Sequence, residues 1–240
     1  MTEEAGVAEN RRERLRAAAV AEIKDAARAQ MAEAGPASIS LRAVARRAGM
    51  NASNLYRYFA TLDDLITALL ADSYRSFAAA LREARDSRPE PDVAGRLLAV
   101  GHAYRRWALD HPSEFGLMFG DPIPGYKAPA DGPTAQAAGA TSGLVLGVYV
   151  DAWRAGDLVP PDVAGLPERL RERLRVVADA WDAGAPPGIA LLFVRDMLHI
   201  HGMVSFEVFG HTQVTIGEPE LLYRSELLAM LERSGLTPPG

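Results

Sequence analysis

The stretch SISLRAVARRAGMNASNLYRYFATLDDLI, residues 38–66, contains two short amphipathic segments on either side of a single glycine. Ser40 can cap the first segment through its side-chain oxygen, and Asn51 can cap the second, which we expect to end near Tyr58. Between the segments, Gly49 can adopt the positive φ of a tight turn at little cost. The pattern therefore predicts two short helices joined by a turn, a helix-turn-helix.

The apolar and polar residues of this stretch divide between two faces. The residues expected to face inward are Val44, Ala45, Leu55 and Phe59. The residues of the second helix expected to face outward are Ala52, Ser53, Asn54, Tyr56, Arg57 and Tyr58. Hydroxyl, amide and guanidinium groups suit base edges and phosphates, and the major groove, about 12 Å wide, admits a helix. The outer face is thus typical of a DNA-reading surface.

Charge is distributed unequally along the chain. Residues 10–60 hold ten basic and four acidic side chains, a net charge of +6, although the whole chain of 240 residues carries −5. Residues 61–240 hold sixteen basic and twenty-four acidic side chains, a net charge of −8. A basic head on an acidic body indicates that only the head faces a polyanion.

Composition excludes several classes of protein. The chain has no cysteine, which removes disulfides, thiolate metal sites and thiol nucleophiles. Its first residues lack the apolar core of a signal peptide, and no run of eighteen uncharged apolar residues exists. We therefore expect a cytoplasmic protein without a membrane span. His199 and His201 stand two residues apart, on nearly opposite sides of a helix, so neither a metal nor another cofactor is predicted.

Nearly every segment has helical periodicity, and the nearest approach to a strand is TQVTI at 212–216. Helices are expected at about residues 9–34, 41–47, 52–58, 62–85, 93–110, 113–119, 135–155, 166–182, 188–209 and 218–234. The predicted fold is all-α, with a three-helix helix-turn-helix DNA-binding domain over residues 1–60, of which 1–10 are expected to be disordered. A larger helical ligand-binding and dimerisation domain is expected over residues 61–240.

With these motifs in view, residues 38–66 resemble the DNA-binding domain of the TetR/AcrR family of bacterial transcriptional regulators. The positions that match the family pattern are Ser40, Arg42, Val44, Ala45, Ala48, Gly49, Leu55, Tyr56, Phe59, Asp64 and Leu65. The resemblance implies that Arg42 reaches a base edge or phosphate, that Ser53 and Asn54 contact bases, and that the Tyr56 hydroxyl meets a phosphate. The full set predicted to bind DNA is Ser40, Leu41, Arg42, Asn51, Ala52, Ser53, Asn54, Tyr56, Arg57 and Tyr58.

The chain departs from the family pattern at three positions. Tyr58 replaces the usual His, and Ala52 stands where many relatives carry a longer side chain. Leu62 replaces a Lys that normally contacts phosphate at the start of the next helix. The arginines of residues 11–16 can compensate for that Lys as a basic arm.

The segments HPSEFGLMFGDP and MLHIHGMVSFEVFG resemble the C-terminal domain of a TetR subgroup marked by a Trp and a His-Gly pair. The residues that fit are His201, Gly202, Ser205 and Glu207, whereas Met197 stands where the Trp is expected. The resemblance implies a homodimer formed through helices near 188–209 and 218–234. Apolar residues suitable for that contact are Ala190, Phe193, Val194, Met197, Val204, Leu227, Leu228 and Leu231.

Large side chains of the later helices can together enclose a small, mainly apolar effector, although for each residue taken singly a place in the ordinary core is favoured. The candidate pocket residues are Trp107, Met118, Phe119, Tyr149, Trp153, Phe193, Met197 and His201. The predicted function is a homodimeric repressor, not an enzyme, that an effector releases from a palindromic operator on double-stranded DNA. Two alternatives stay open: a helical hydrolase using Ser205, His201 and Glu207, and a DNA-binding protein without ligand response.

Overall fold

The computed structural model describes residues 2–181, 184–212 and 217–237, with side chains described from residue 11 onward. Its helices are α1 (Thr2–Ala34), α2 (Leu41–Arg47), α3 (Ala52–Leu55), α4 (Leu62–Asp86), α5 (Val93–Asp110), α6 (Pro112–Phe119), α7 (Pro133–Ala155), α8 (Glu168–Trp181), α9 (Pro187–Val208) and α10 (Pro219–Arg233). These described residues contain no strand, so the all-α prediction is confirmed. Four residues of the strand-like TQVTI, 213–216, lie outside the described part.

The chain divides into two compact units. The first unit comprises Met1–Tyr74 and His111–Gln136, and the second comprises Arg75–Asp110 and Ala137–Gly240. Residues 111–136 join the first unit because α6 packs against α1 and brings Leu117 onto its core. The compact units therefore do not follow the predicted boundary between residues 60 and 61, which remains a prediction about function.

α1 differs from the prediction at its start and agrees at its end. Its backbone is helical from Thr2, rather than from about residue 9, in place of the disorder expected for residues 1–10. Met1 and the side chains of residues 2–10 lie outside the described residues. Gly35, with φ 80°, stops the helix as expected, and Pro36–Ser38 then form a 3₁₀ turn that the sequence analysis missed.

The core of the first unit joins α1 to the helix-turn-helix. Its largest buried members are Ile23, Met31, Ile39, Leu41, Leu55, Phe59, Leu65 and Leu69, and the smaller Val44 joins them. The four residues expected to face inward, Val44, Ala45, Leu55 and Phe59, are all buried, which confirms that part of the prediction. α1 contributes a helical stripe with a spacing of four residues, which is the pattern of a helix buried along one side.

A partly buried ionic cluster also ties α1 to α4 and α6. Lys24 Nζ lies 2.6 Å from Asp72 Oδ2, and Arg28 Nη2 lies 3.1 Å from the same oxygen. Arg28 also donates to Asp25 at 2.8 Å and has Glu114 at 3.9 Å. A network in which one guanidinium serves several carboxylates is worth more than an isolated surface pair, which contributes about 0–1 kcal/mol.

In the second unit, α5 and α10 approach closely through a glycine. A Cβ added to Gly101 would lie 2.8 Å from Leu227 Cδ2, and Leu227 is fully buried. The Tyr223 hydroxyl donates to the Gly101 carbonyl at 2.6 Å. The missing side chain thus permits both an apolar contact and a hydrogen bond between the same two helices.

α9 (Pro187–Val208) is long and apolar enough to cross a membrane by length and composition alone. It is also the helix around which the second unit is arranged, since it packs against α5, α8 and α10. Its middle carries Asp196, which is only 2% exposed and hydrogen-bonded to Tyr149. These contacts are those of a core helix.

A substitution at the start of α9 tests this packing. A Cβ at Gly188 would lie 2.3 Å from the Pro161 carbonyl oxygen and 3.0 Å from Pro160 Cβ, so the backbone there would have to move. We expect Gly188→Ala to lower the free energy of unfolding by about 1–3 kcal/mol in urea denaturation. The matched control is Gly147→Ala in α7, which has no atom within 4 Å of the added Cβ. Equal destabilisation by both would contradict the prediction.

Candidate functional site

Both helices of the helix-turn-helix begin with the predicted caps. Ser40 Oγ accepts a hydrogen bond from the Ala43 N–H at 3.3 Å, and Asn51 Oδ1 accepts one from the Asn54 N–H at 2.7 Å. Gly49 joins the helices with φ 65°, in the left-handed region. The caps satisfy N–H groups that a short helix would otherwise leave without partners.

The second helix is shorter than predicted. α3 ends at Leu55, and residues 56–58 continue as turns rather than as α-helix. The Tyr58 N–H donates to the Leu55 carbonyl at 2.9 Å, and the Phe59 N–H donates to the same carbonyl at 3.1 Å. This turn of the backbone returns the chain to the core at Phe59, four residues after Leu55.

Most residues predicted to bind DNA lie on the surface. The exposed ones are Ser40, Arg42, Asn51, Ser53, Tyr56 and Arg57, and the partly exposed ones are Ala52, Asn54 and Tyr58. Leu41 is the exception, because its side chain is buried in the core of the first unit. Only the backbone of Leu41, in the first turn of α2, can take part in binding, and the prediction for its side chain is wrong.

The arginines of this surface are not equivalent. Arg47 Nη1 lies 2.8 Å from Glu33 Oε2, and a second hydrogen bond joins Nη2 to Oε1. These hydrogen bonds hold the pKa of Glu33 below its usual value. Arg42, Arg46 and Arg57 are exposed and have no acidic partner within the described part of the chain. They are the cations available to phosphates.

α4 begins with a capping box that the sequence analysis missed, although Thr-x-x-Asp is its signature. The Thr61 N–H donates to Asp64 Oδ2 at 2.9 Å, and the Asp64 N–H donates to Thr61 Oγ1 at 3.1 Å. Leu62, between them, packs partly buried against the core of the first unit. The position where relatives keep a Lys therefore makes an apolar contact here.

The second unit brings two predicted pocket residues into one aromatic cluster. The ring of Phe77 lies 4.9 Å from the rings of both Trp107 and Tyr104, measured between centroids. The Tyr104 hydroxyl is 2.8 Å from His201 Nδ1, and Ser205 Oγ is 3.3 Å from His201 Nε2. Burial lowers the pKa of His201, so the imidazole is neutral at pH 7. Phe77 and Tyr104 were not predicted.

Two further predicted residues form a separate cluster in the same unit. The rings of Tyr149 and Phe193 lie 6.5 Å apart, edge to face. The Tyr149 hydroxyl donates to Asp196 Oδ2 at 3.0 Å, and Arg195 Nε is 3.4 Å from the other carboxylate oxygen. Burial raises the pKa of Asp196 and that of Tyr149. Asp196 was not predicted, because a core carboxylate leaves no periodicity signal.

The other predicted pocket residues lie in several settings. Met118 and Phe119 belong to the first unit, where the Phe119 ring packs 5.1 Å from Phe115. Trp153 packs partly buried against the core of the second unit, and Met197 is 38% exposed. That these residues line one effector pocket stays a prediction.

The hydrolase alternative requires Glu207 to orient His201, and the structure uses Glu207 differently. Arg105 Nε lies 2.8 Å from Glu207 Oε2, and Arg105 Nη2 lies 2.6 Å from Oε1. The ring nitrogen of His201 that faces away from Ser205 meets the Tyr104 hydroxyl instead. The arrangement does not favour nucleophilic catalysis, which needs a base held by an orienting group.

The outer faces of α9 and α10 carry large exposed apolar side chains: Leu198, Phe206, Phe209, Leu221 and Leu222. Of the apolar residues expected to make the dimer contact, Ala190, Phe193, Val204, Leu227 and Leu231 are buried in the core of their own chain. Those five side chains are therefore not available to a partner, and the prediction is wrong for them. Val194 and Leu228 are partly exposed and Met197 is exposed, so the dimer interface itself stays a prediction.

Two short capped helices with a polar, cationic outer surface define a helix-turn-helix DNA-binding protein. Residues 23–69 match the family described as bacterial regulatory proteins, tetR family. Residues 97–230 match the tetracyclin repressor-like C-terminal domain. The chain is also 32% identical over 206 residues to the HTH-type transcriptional regulator Rv1816 of Mycobacterium tuberculosis (strain ATCC 25618 / H37Rv), covering 79% of this chain and 80% of that protein.

Solved structures show the same fold. The chain matches the crystal structure of a regulatory protein designated SCO4313 with a TM-score of 0.74 and 36% identity, over 92% of this chain and 98% of the other. It matches the transcriptional regulator FadR from Bacillus subtilis, in complex with stearoyl-CoA, with a TM-score of 0.55 and 16% identity, over 90% and 98%. At that identity the second likeness concerns the fold alone.

The chain therefore belongs to the tetR family and is a transcriptional regulator. Members of this family are typically ligand-responsive repressors. The resemblance to the subgroup with a Trp and a His-Gly pair stays a prediction.

The buried Tyr149–Asp196 pair gives a testable pH dependence. Tyr149→Phe removes the donor to a buried carboxylate, and we expect a loss of about 1–3 kcal/mol in unfolding free energy at pH 8. Because the folded pKa of Asp196 is raised, the folded state takes up a proton more readily than the unfolded state as pH falls. The penalty of Tyr149→Phe should therefore be smaller at pH 5 than at pH 8, because protonation of Asp196 is further advanced at the lower pH.

Urea denaturation at both pH values measures this penalty. The control is the same substitution in an Asp196→Asn background, where the side chain carries no charge and the penalty should not change with pH. A penalty in the Asp196 protein that is equal at pH 5 and pH 8 would count against the charged pair.

Proposed function

We propose that this chain acts as a homodimeric repressor in the cytoplasm, and that a small, mainly apolar effector releases it from a palindromic operator. The observation that carries the proposal is the exposed polar surface of α3 and the turn after it, flanked by Arg42 and Arg57 without acidic partners among the described residues. The second unit, with its own buried aromatic and polar clusters, supports the regulatory part.

The DNA-facing roles follow from exposure and chemistry. α3 enters the major groove with Ser53 exposed and Asn54 partly exposed, so their hydroxyl and amide groups address base edges. The side chain of Tyr56 is 49% exposed, which leaves its hydroxyl free to donate to a phosphate. Arg42 and Arg57 bind a base edge or a phosphate.

Dimerisation through α9 and α10 is supported by the face that these helices leave exposed. Leu198 and Phe206 of α9 and Phe209, which follows its last residue, recur at helical spacing, and Phe206 is 61% exposed. Leu221 and Leu222 extend the apolar surface onto α10. Large apolar side chains concentrated on one face mark an interaction surface, and a two-fold axis through it would make that surface meet its own copy.

The effector is proposed to be mainly apolar because aromatic rings dominate the cluster of Phe77, Tyr104 and Trp107. A neutral His201 and the Ser205 hydroxyl would add a small number of oriented polar groups, as small-molecule sites generally have. In one geometry of the dimer the recognition helices match successive grooves of DNA, and in the other they do not. An effector that binds the second geometry more tightly shifts the dimer towards it, and the affinity for DNA falls by the ratio of the effector's affinities for the two geometries.

Selection of bound sites from random duplex DNA by the full chain tests the proposal. We expect a palindrome with half-site centres about 34–36 Å apart, one helical turn, or a multiple of it. Absence of any enriched site would overturn DNA reading, and a single half-site without symmetry would overturn the dimer. Operator affinity that no member of a metabolite panel changes would favour the alternative of a DNA-binding protein without ligand response.

Arg42→Ala tests the assigned contact on the selected operator. We expect binding to weaken by about 1–3 kcal/mol, roughly 5- to 150-fold in Kd, with relaxed preference at one position of each half-site. The control is Arg169→Ala, which removes the same charge from an exposed position on α8 in the second unit. Fluorescence anisotropy titrations measure both. An Arg42→Ala protein that binds as tightly as the control would exclude Arg42 from the interface.

A further inference from the structure

We propose that Arg12 and Arg16 extend the DNA-binding surface along α1, so that the chain contacts backbone phosphates beyond its helix-turn-helix. This inference rests on the proposed operator binding and adds a second contact region to it. The ligand is the phosphate backbone of duplex DNA that flanks each half-site.

The first observation is a contact between α1 and the turn after α3. The Arg16 guanidinium carbon lies 5.9 Å from the centre of the Tyr58 ring, within the range of a cation–π interaction. Tyr58 is itself packed partly buried against the core of the first unit. Arg16 therefore lies beside the residues that follow the recognition helix, within the same compact unit.

The second observation is helical register. α1 is continuous from Thr2, so the arginines of residues 11–16 stand on a helix rather than on a loose arm. With 3.6 residues per turn, Arg12 lies one turn before Arg16 on the same side. From Arg16 towards the C-terminal end of α1, steps of three and four residues lead along the same side of the helix to Ile23 and Ala27. Both are fully buried against the helix-turn-helix. Arg12 and Arg16 thus lie on the same side of α1 as the residues that pack against the helix-turn-helix.

By the same helical register, Arg11 and Arg14 lie on a different side of α1 from Arg12 and Arg16. Arg14 stands two residues from Arg16, roughly 160° around the helix, and Arg11 is turned away from Arg16 by roughly 140°. Both are as exposed as Arg12 and Arg16. They carry the same charge on the same helical turns but face elsewhere, which makes them a matched control within the chain.

The third observation is charge. Residues 11–16 hold four arginines and a single acidic residue, Glu13. Within the described part of the chain, no salt bridge joins Arg12 or Arg16 to an acidic side chain. Arg16 contacts Tyr58, which follows Arg57 directly in the chain, so at least this guanidinium group lies beside the proposed DNA interface.

The start of α4 supplies the complementary observation. Leu62 packs partly buried against the core of the first unit, so α4 offers no cation from that position. The guanidinium groups of Arg12 and Arg16 stand on α1. Because they stand on a helix surface without a groove of their own, they suit phosphates, which any sequence presents, rather than base edges.

The test compares two double variants on the selected operator. Arg12→Gln with Arg16→Gln removes the proposed contacts, whereas Arg11→Gln with Arg14→Gln removes the same charge from the other side of α1. Kd is measured from 0.05 to 0.3 M KCl by fluorescence anisotropy, and circular dichroism verifies that each variant is folded. We expect the first pair to reduce the slope of log K against log salt by roughly 1.8 for each bound subunit, and affinity by roughly 10- to 100-fold at 0.15 M salt.

The control pair should leave the slope close to that of the wild type, and Arg12→Lys with Arg16→Lys should retain most of it. Since Arg16 also contacts Tyr58, Arg12→Gln alone separates a phosphate contact from displacement of the recognition turn; it should reduce the slope by roughly 0.9 for each bound subunit. Hydroxyl-radical footprinting should show flanking protection that the Arg12 and Arg16 variants lose.

Two results would overturn the inference: equal slopes and affinities for the two double variants, or an Arg12→Gln protein indistinguishable from the wild type. In both cases the wild type still selects an operator, and the proposed function stands. A wild-type chain that selects no site would overturn the proposed function and this inference together.

Discussion

The whole DNA-facing surface depends on the burial of Leu55 and Phe59. α3 is a helix of four residues, far shorter than an isolated helix needs for stability in water. Caps satisfy its first N–H groups, but the free energy that holds it comes from the two side chains that it and the following turn place in the core built by α1, α2 and α4. With Leu55 fully buried and Phe59 at 7% exposure, the residues between and before them have only the outer side left. The polar side chains of α3 thus face outward because Leu55 and Phe59 are held in the apolar core.

The same reasoning explains how much could be predicted from the sequence. Periodicity and end signals located the helices well, because Gly35 and Asn51 act through local backbone chemistry that reads directly from a few neighbouring residues. The outward set was largely right for the same reason. Leu41 was included among the DNA-binding residues although, in α2, its side chain is buried with Val44 and Ala45. The spacing of apolar residues in α2 alone predicts that Leu41 is buried.

What the sequence could not reveal are contacts between distant residues. Tyr104 and His201 are 97 positions apart, and neither periodicity nor composition says that their side chains meet. Asp196 lies in an apolar stretch where a solvent-facing position is the ordinary expectation for a carboxylate. Its burial became explicable only once Tyr149, 47 residues earlier, was found to donate to it. The burial of Phe193 and Val204 was missed for a similar reason, because α9 is apolar on more than one side and only packing decides which side is left exposed.

Unequal division of charge gives the two parts of the chain different relations to DNA. The acidic remainder of the chain repels a polyanion at long range, and ions screen that repulsion within about 8 Å at 0.15 M salt. Binding therefore depends on cations held close to phosphates, where counterion release operates. In such a chain, overall charge does not draw the protein to DNA, because net charge is unfavourable. Cations have to be held locally, and α1 holds one beside the recognition turn, since the Arg16 guanidinium carbon lies 5.9 Å from the centre of the Tyr58 ring.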